Sequence, residues 1–175
     1  MSRAVVVITE EILGFERYGI SRKGEIYDFE KKRFVVSFLH QEYFMIHLSK
    51  EGKQFQKRLH VLLAIAYIPN PKNKKYVDHI DRDPTNNDLS NLRWVTRQEN
   101  NMNKTKQTGT TSSQYKGVSF QKNANKWKAM ITFNYKQIYL GLFDTEEEAA
   151  LVYNFKSEEL FGEYGNPNDV DVLVI

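Results

Sequence analysis

The sequence contains no cysteine, and this absence narrows what the protein can be. A chain without cysteine has no disulfide framework and no cysteine-ligated zinc site, which fits a reducing compartment. Long apolar runs are also missing: the longest, VLLAIAYI, falls well short of the roughly 20 residues of a membrane span. The amino-terminal AVVVITEEIL is too short in its apolar part for a secretory signal. We therefore expect an intracellular protein that is neither secreted nor bound to a membrane.

The 175 residues that are present suffice for one ordinary domain or two small ones. Hydrophobic residues make up 41% of the chain and aromatic residues 13%, which indicates globular structure. The formal charge of +3 is unevenly divided, because residues 104–143 hold seven lysines and no acid, whereas residues 144–175 hold nine acids and one lysine. This division indicates two faces with different tasks, one of which suits a polyanion.

Hydropathy patterning predicts an α+β protein. Residues 1–57 carry four short β-type runs, AVVVIT, GEIYDF, RFVVSFL and YFMIHLS, with turns expected at Gly14, Gly19, Gly24 and Gly52. RLHVLLAIAYI has helical spacing, and a strand, a polar loop, a second strand and a capped helix follow it. After a polar linker at 103–114, residues 115–166 predict a three-stranded antiparallel sheet packed on one helix. That helix has Thr145 and Glu148 as a capping box and Gly162 as its end.

The most polar stretch, YVDHIDRDPTNNDLSNLRWVTRQENN, admits three interpretations. A calcium loop counted from Asp81 would need glycine at Asn86 and glutamate at Leu92, and it has neither. A solvated loop accounts for DRDPTNND, since these are turn residues. It does not account for the Asp-His pair at the end of the first strand or for an asparagine in the first turn of the helix. Imidazole, carboxylate and amide suit metal-assisted phosphodiester hydrolysis, although an Asp-His pair is also common as a purely structural feature.

The stretch VDHIDRDPTNNDLSNLRWVTRQEN closely resembles the HNH nuclease motif of phage and intron homing endonucleases. The resemblance implies a ββα-metal nuclease core over residues 58–102. It implies that His79 is the general base and that Asn91 braces the catalytic loop through hydrogen bonds. It further implies that Asp78 and Asn100 bind one divalent cation, Mg²⁺ or alternatively Mn²⁺, with no zinc.

The flanking segments carry further resemblances. RLHVLLAIAYIPNP is similar to the segment that precedes this motif in homing enzymes, and GFERYGISRKGEIYDF is similar to a nuclease-associated modular motif. The second resemblance implies a nuclease-associated module over residues 1–57, in which Arg22 and Lys23 contact phosphates. Arg93, inside the nuclease motif, is expected to position its strand and to approach DNA.

Residues 115–166 resemble the Apetala-two/ethylene-response-factor DNA-binding domain through YKGV, KWKAMI, YLGLFDTEEEAALVYN and FGEYGNPN. Several arginines and a tryptophan of that family's DNA-reading strands are absent, so the fold carries over further than the sequence preference. A sheet can enter a major groove, where lysines neutralise phosphates and polar side chains contact base edges. The expected contacts of this module are Lys116, Lys122, Lys126, Lys128, Met130, Thr132, Asn134, Gln137 and Tyr139.

The sequence thus predicts a site-specific, metal-dependent DNA endonuclease of the HNH homing type. We expect it to cut one or both strands of double-stranded DNA as a monomer or homodimer, without an obligatory protein partner. Its compartment would be the cytoplasm or a nucleoid or organellar DNA compartment, and residues 167–175 would form a tail. Two alternatives remain open: a sequence-specific DNA-binding regulator with an inactive nuclease core, and a basic RNA-binding protein whose exposed aromatics stack bases.

Overall fold

The computed structural model describes residues 10–106 and 111–170. The chain divides into two compact units, with the boundary between Arg97 and Gln98. Each unit combines small antiparallel sheets with helices, so the predicted α+β class is confirmed. The predicted strand AVVVIT, the middle of the predicted linker and the end of the tail lie outside the described residues. In the described part of the chain, no helix is long and apolar enough to cross a membrane.

The first unit begins with a four-stranded antiparallel sheet. Its strands, in spatial order, are β1 (Glu10–Ile12), β2 (Phe15–Ile20), β3 (Ile26–Asp28) and β4 (Arg33–Val35). Gly24 adopts a φ of +80° in the turn between β2 and β3, as expected, but Gly19 lies inside β2 and pairs with Tyr27. Arg17 ties β2 to β3 through hydrogen bonds of 2.9 and 2.6 Å to the Asp28 carboxylate. The Arg17 guanidinium holds the pKa of this buried carboxyl down to about 2.

A second sheet contains β5 (Phe38–His40), β6 (Tyr43–Lys50) and β7 (Lys53–Arg58) in this order. The single strand expected for RFVVSFL is wrong, because the segment is divided between β4 and β5, which belong to different sheets. Val36 lies at the break and is 83% exposed. The apolar run in the sequence does not reveal this change of sheet. The pattern of side chains along a strand shows which face they occupy, but not which strands lie beside it.

The nuclease-like motif packs against the first helix. Its elements are α1 (Leu59–Tyr67), β8 (Tyr76–His79), a short 3₁₀ turn (Leu89–Asn91), β9 (Leu92–Val95) and α2 (Arg97–Asn103). α1 contacts both sheets and the β8–β9 pair, and its Leu63 is fully buried with Ile46 and Leu48 of β6. The Trp94 indole donates a hydrogen bond of 2.9 Å to the Ile68 carbonyl, which fastens β9 to the end of α1.

The second unit holds a three-stranded antiparallel sheet on a long helix, as predicted. It consists of β10 (Val118–Gln121), β11 (Lys126–Phe133), β12 (Lys136–Phe143) and α3 (Glu146–Phe161). The Thr145–Glu148 capping box and the helix end at Gly162 are confirmed. Gly117 has a φ of +78°, and a Cβ there would lie 2.1 Å from the Tyr153 ring, so no other residue fits between sheet and helix.

The residues around the predicted linker at 103–114 contact the second unit. Met102 of α2 is only 8% exposed and packs with Ile131, Tyr153 and Phe161 in the core of the second unit. Farther along, the Ser113 hydroxyl donates a hydrogen bond of 2.6 Å to the Glu146 carboxylate at the start of α3. The polar composition resembles that of a free spacer, but Ser113 at its end bonds to the second unit, and Met102, just before it, packs in the core of that unit.

Candidate functional site

Asp78 and His79 lie side by side at the end of β8, and both are buried, with exposed fractions of 7% and 6%. In the β8–β9 pair, Asp78 stands opposite Arg93, and His79 stands opposite Leu92. The Arg93 Nε and Nη2 atoms donate to the same Asp78 oxygen, Oδ2, at 3.1 and 3.0 Å. Arg93 is therefore engaged in an ion pair inside the first unit, where its expected DNA contact would compete with Asp78.

The His79 imidazole is held by neighbours from two other parts of the fold. Its Nε2 lies 3.2 Å from the Asn87 Oδ1 in the polar loop. Its ring packs edge-on against the His60 ring of α1, with the two ring centroids 4.7 Å apart. The centroid of the Tyr43 ring, on β6, lies 6.3 Å from that of His79. Burial, together with the charges of His79 and Arg58, lowers the pKa of His60 to about 3. His60 is therefore a neutral ring at neutral pH.

Asn91 connects the two ends of the loop that follows β8. Its Nδ2 donates to the Asp81 Oδ1 at 2.9 Å and to the Asn86 carbonyl at 2.8 Å. Its Oδ1 accepts from the Asp81 amide at 3.0 Å, and its carbonyl accepts from the Ile80 amide at 2.9 Å. Since Asn91 is nearly buried, these bonds fix the loop at the point where Asp78 and His79 end their strand.

The other polar side chains of this loop form hydrogen bonds within the loop itself. Asp83 accepts hydrogen bonds from both the amide and the hydroxyl of Thr85, at 2.8 and 2.6 Å. Asp81 accepts from the Asp83 amide at 2.9 Å and from the Asn86 side chain at 2.7 Å. These are local turn interactions of the kind that Asp and Asn form. No calcium-loop geometry is needed to explain the composition.

The Asp78 carboxylate is a ligand of the type that hard divalent cations prefer. Among residues 10–106 and 111–170, no cluster of three His, Cys, Asp or Glu side chains could hold a metal ion. A magnesium ion needs fewer protein ligands, because it keeps several waters and takes phosphate oxygens, and carboxylate and amide oxygens are the ligands that it prefers. Arg93 donates two hydrogen bonds to the Asp78 Oδ2, so a cation at Asp78 would compete with the guanidinium. Asn100 lies on α2, in the second unit.

The outer face of the second unit's sheet carries several of the predicted DNA contacts. Met130 pairs with Tyr139, and Thr132 pairs with Gln137, so these four side chains share one face with Lys128. Tyr139 is 59% exposed on this face. A bulge in β12 makes Leu140 the additional residue, and Leu142 therefore stands beside Lys128.

Other predicted contacts stand elsewhere. Asn134 lies in the two-residue turn with Tyr135, both at positive φ, and accepts a hydrogen bond of 3.0 Å from the Gln98 side chain. Lys122 is exposed in the β10–β11 turn, and Lys126 pairs with Asp144 at 2.9 Å. The Lys116 ammonium donates to the Met102 and Lys104 carbonyls at 2.7 and 2.9 Å, so it is engaged at the end of α2.

Arg22 and Lys23 of the first unit lie exposed in the turn after β2. The Arg22 guanidinium stands 5.1 Å from the centroid of the Tyr67 ring. Nothing in their positions prevents contact with phosphates.

The sequence of this chain is similar to those of several known proteins. Residues 57–102 match the HNH endonuclease family. An uncharacterized HNH endonuclease of Acanthamoeba polyphaga mimivirus, L560, is 40% identical over 118 residues, which are 67% of this chain and 58% of the viral protein. Protein 3.8 of Escherichia phage T7 is 36% identical over 120 residues, 67% of this chain and 97% of the phage protein. This chain belongs to the HNH endonuclease family.

Two further matches cover parts of this HNH endonuclease family member. A structure of the HNH homing endonuclease I-HmuI, described as binding and cleaving DNA, is 33% identical with a TM-score of 0.47 and covers 50% of this chain and 52% of that one. An APETALA2-like protein of rice is 46% identical over only 43 residues, 25% of this chain and 10% of the plant protein. The chain spans little more than half of the mimivirus relative and of I-HmuI, so the activity of the whole protein is a matter for proposal.

Three residues beside this HNH site were not found by sequence analysis. Asn87 stands in a run of turn residues, where nothing distinguishes the one that contacts His79. Tyr43 and Arg58 precede the motif. The Tyr43 ring is near His79, and Arg58 contacts Tyr43, only because distant parts of the chain pack together. One indirect sign for these residues is present in the sequence: Arg58 begins the segment RLHVLLAIAYIPNP, which is similar to a segment of homing enzymes.

Proposed function

We propose that this chain is a metal-dependent DNA endonuclease of the homing type that hydrolyses phosphodiester bonds of duplex DNA, with His79 as the general base. The observation that carries the proposal is the fixed position of His79. It is buried beside Asp78, 3.2 Å from Asn87, at the end of a loop that Asn91 closes. A base must be held within hydrogen-bond reach of the water that it deprotonates, and this environment restricts the imidazole.

In the proposed reaction, His79 accepts a proton from the water that attacks phosphorus. The Asn87 Oδ1 beside the His79 Nε2 restricts the orientation of the imidazole that takes this proton. A bound divalent cation would neutralise charge on the phosphate and on the departing oxygen. Asp78 and Asn100 would hold that cation, and Asn91 would preserve the loop geometry that places Asp78 and His79.

The second unit would bind duplex DNA beside the cleavage point. Its outer sheet face presents Lys128, Met130, Thr132, Gln137 and Tyr139 together, which combines a cation, hydrogen-bonding groups and apolar surface. A sheet of this kind can lie in the major groove, where such side chains contact phosphates and base edges. In addition, Lys122 and Lys126 on this unit and Arg22 and Lys23 on the first would contact phosphates.

The test is cleavage of a randomised duplex library with Mg²⁺, with each strand mapped separately. Wild type should cut, and the same map tells whether one strand or both are cut. His79→Ala should bind the recovered duplex normally but lose cleavage by about 10³-fold or more, the loss expected for removing a general base from a preorganised site. His47→Ala is the matched control, because His47 is exposed on β6 of the same unit.

The result discriminates between the candidate functions. Unchanged cutting by His79→Ala would remove the proposed mechanism. Specific duplex binding without cleavage by wild type would indicate a regulator with an inactive nuclease core. Preference for single-stranded RNA over duplex DNA in a competition assay would favour an RNA-binding protein. Membership of the HNH family and the intact Asp78, His79, Asn91 and Asn100 favour the nuclease.

A further inference from the structure

Arg58 stands at the junction of β7 and α1, where its guanidinium has an aromatic partner and no acidic one. Its Cζ lies 4.6 Å from the centroid of the Tyr43 ring. Its side chain makes no capping hydrogen bond to α1, and within the described parts of the chain it forms no ion pair. We propose that Arg58 is a catalytic residue that binds the phosphate being cut, an inference that rests on the nuclease function proposed above.

The aromatic partner of Arg58 leads directly to the proposed base. The Tyr43 ring lies 5.3 Å from the His60 ring and 6.3 Å from the His79 ring, and the two histidine rings lie 4.7 Å apart. The three rings therefore form one contiguous group, with the Arg58 guanidinium over Tyr43. Only one aromatic side chain separates the cation from His79. A phosphate beside His79 is thus within the neighbourhood of Arg58.

The charges in this group make Arg58 its anion-binding member. His60 remains neutral at neutral pH because burial holds its pKa at about 3. Arg93 is committed to Asp78 through two hydrogen bonds. Among these residues, Arg58 is the cation without a carboxylate, and its side chain is exposed to an incoming ligand.

The way Arg58 is held suits phosphate binding. The contact with Tyr43 is a cation–π contact over the ring. It uses none of the guanidinium N–H groups as hydrogen-bond donors to an acid, so these donors can serve a phosphate. The edge of a guanidinium is the part that forms paired hydrogen bonds with phosphate oxygens. Because the ring restricts the guanidinium before DNA arrives, less side-chain freedom is lost on binding. Donors fixed in this manner stabilise the extra negative charge of the transition state.

The kinetic test uses the full chain with Mg²⁺ and the duplex recovered from the library, in single-turnover reactions with protein in excess. Arg58→Ala should lower the cleavage rate by about 100-fold, as for removal of one fixed donor from a transition state. Its dissociation constant for the duplex should rise by no more than about 5-fold, because an exposed ionic contact contributes little to ground-state binding. Arg58→Lys should recover part of the rate. Arg33→Ala, which changes an exposed arginine on β4, should cut like wild type.

A second measurement needs no cleavage and no metal. In EDTA, the His79→Ala protein is titrated with the duplex and with a duplex whose cleaved phosphate is replaced by an uncharged methylphosphonate. The replacement should weaken binding by about 3-fold when Arg58 is present and should have no effect in the His79→Ala, Arg58→Ala double variant. An equal effect in both proteins would overturn the proposal.

The variants of Tyr43 keep the inference testable if Arg58→Ala fails to fold. Tyr43→Leu removes the aromatic ring and should lower the rate about 10-fold, and Tyr43→Phe, which keeps the ring, should cut faster than Tyr43→Leu. If wild type cuts the duplex and Arg58→Ala cuts it at the same rate, the role of Arg58 is refuted and the nuclease function stands. If wild type does not cut at all, both are refuted.

Discussion

In the first unit, the polar side chains of the proposed site are turned inward, whereas in the second unit those of the proposed DNA-binding face are turned to solvent. Asp78, His79 and Asn91 are each no more than 9% exposed. Thr132 and Gln137, by contrast, are exposed on the outer face of the sheet. Hydrogen bonds of the Asn91 side chain to Asp81 fix the loop of the buried site. The positions of Thr132 and Gln137 follow from the pairing register of their strands.

The difference reflects two kinds of chemistry. A general base and a metal ligand act only in a narrow geometry, so their positions must be determined before the substrate arrives. A groove-binding face must instead remain open to its partner, and its side chains can adjust on contact. Substitutions should therefore have different effects in the two units: loss of stability and rate in the first, and loss of affinity in the second.

The largest expected effect is that of Asn91→Ala. The substitution removes three side-chain hydrogen bonds and leaves the Asp81 amide and the Asn86 carbonyl without this partner. We expect the free energy of unfolding of the first unit to fall by about 3 kcal/mol. Cleavage should fall with it, because the loop no longer places Asp78 and His79. Urea denaturation monitored by hydrogen exchange in each unit measures the change in unfolding free energy. Single-turnover reactions measure the change in cleavage rate.

The control for Asn91 is Asn123→Ala, which changes an exposed asparagine in the β10–β11 turn of the second unit. It should alter stability by no more than about 0.5 kcal/mol. Equal effects of the two substitutions would contradict the contrast between the units. Retention of full stability by Asn91→Ala would show that the loop does not depend on the bonds of this amide.

The HNH motif could be located from sequence because its residues are close together in the chain. Asp78, His79 and Asn91 span one loop, and their types alone suggest the chemistry. The same holds for α3, whose capping box and terminal glycine are local signals. Predictions succeeded where the determining interactions connect residues within a few positions of each other.

What sequence could not supply depends on tertiary packing. Tyr43 lies far along the chain from His79, and no local pattern indicates that their rings are neighbours. The separation of β4 from β5 is likewise decided by partner strands. Lys116 is a similar case, since only the packing of α2 explains why its ammonium meets two carbonyls there.

An effect of comparable size is expected from acid, and it should distinguish the units. His60 is faced by His79, Tyr43 and Arg58, and burial lowers its pKa to about 3 from the usual histidine value of 6.5. Below pH 6.5 the unfolded chain binds a proton that the folded unit does not, so stability is complete above pH 6.5 and falls as the pH decreases. The free energy of unfolding of the first unit should fall by about 1.4 kcal/mol per pH unit, or about 3 kcal/mol by pH 4.5.

The measurement is hydrogen exchange of peptides from each unit between pH 7 and 4.5, corrected for intrinsic exchange rates. In the second unit, the buried Tyr153 has its pKa raised to about 12 by desolvation, so it does not titrate in this interval. Protection should therefore decrease more in residues 12–97 than in residues 111–170. A His60→Phe variant should abolish the difference. If its first unit is destabilised by acid as strongly as that of wild type, another group is responsible.

The smallest effects should separate two lysines of the second unit. Lys128, on the outer face, would neutralise a phosphate, so Lys128→Ala should weaken duplex binding several-fold and reduce the salt slope by about 1. Lys116 donates instead to carbonyls at the end of α2, so Lys116→Ala should leave that slope unchanged. It should increase hydrogen exchange in residues 98–103, because the helix end loses two charge-assisted hydrogen bonds of about 1 kcal/mol each.

The lysine comparison is decisive because both residues carry the same charge and belong to the same compact unit. A reduced salt slope for Lys116→Ala would mean that its ammonium leaves the α2 carbonyls to contact DNA, as the resemblance to plant DNA-binding domains implies. An unchanged slope together with faster exchange would assign it to the helix that carries Asn100. Cleavage at saturating DNA should then fall for Lys116→Ala and not for Lys128→Ala, since the first loosens a proposed metal ligand and the second only weakens binding.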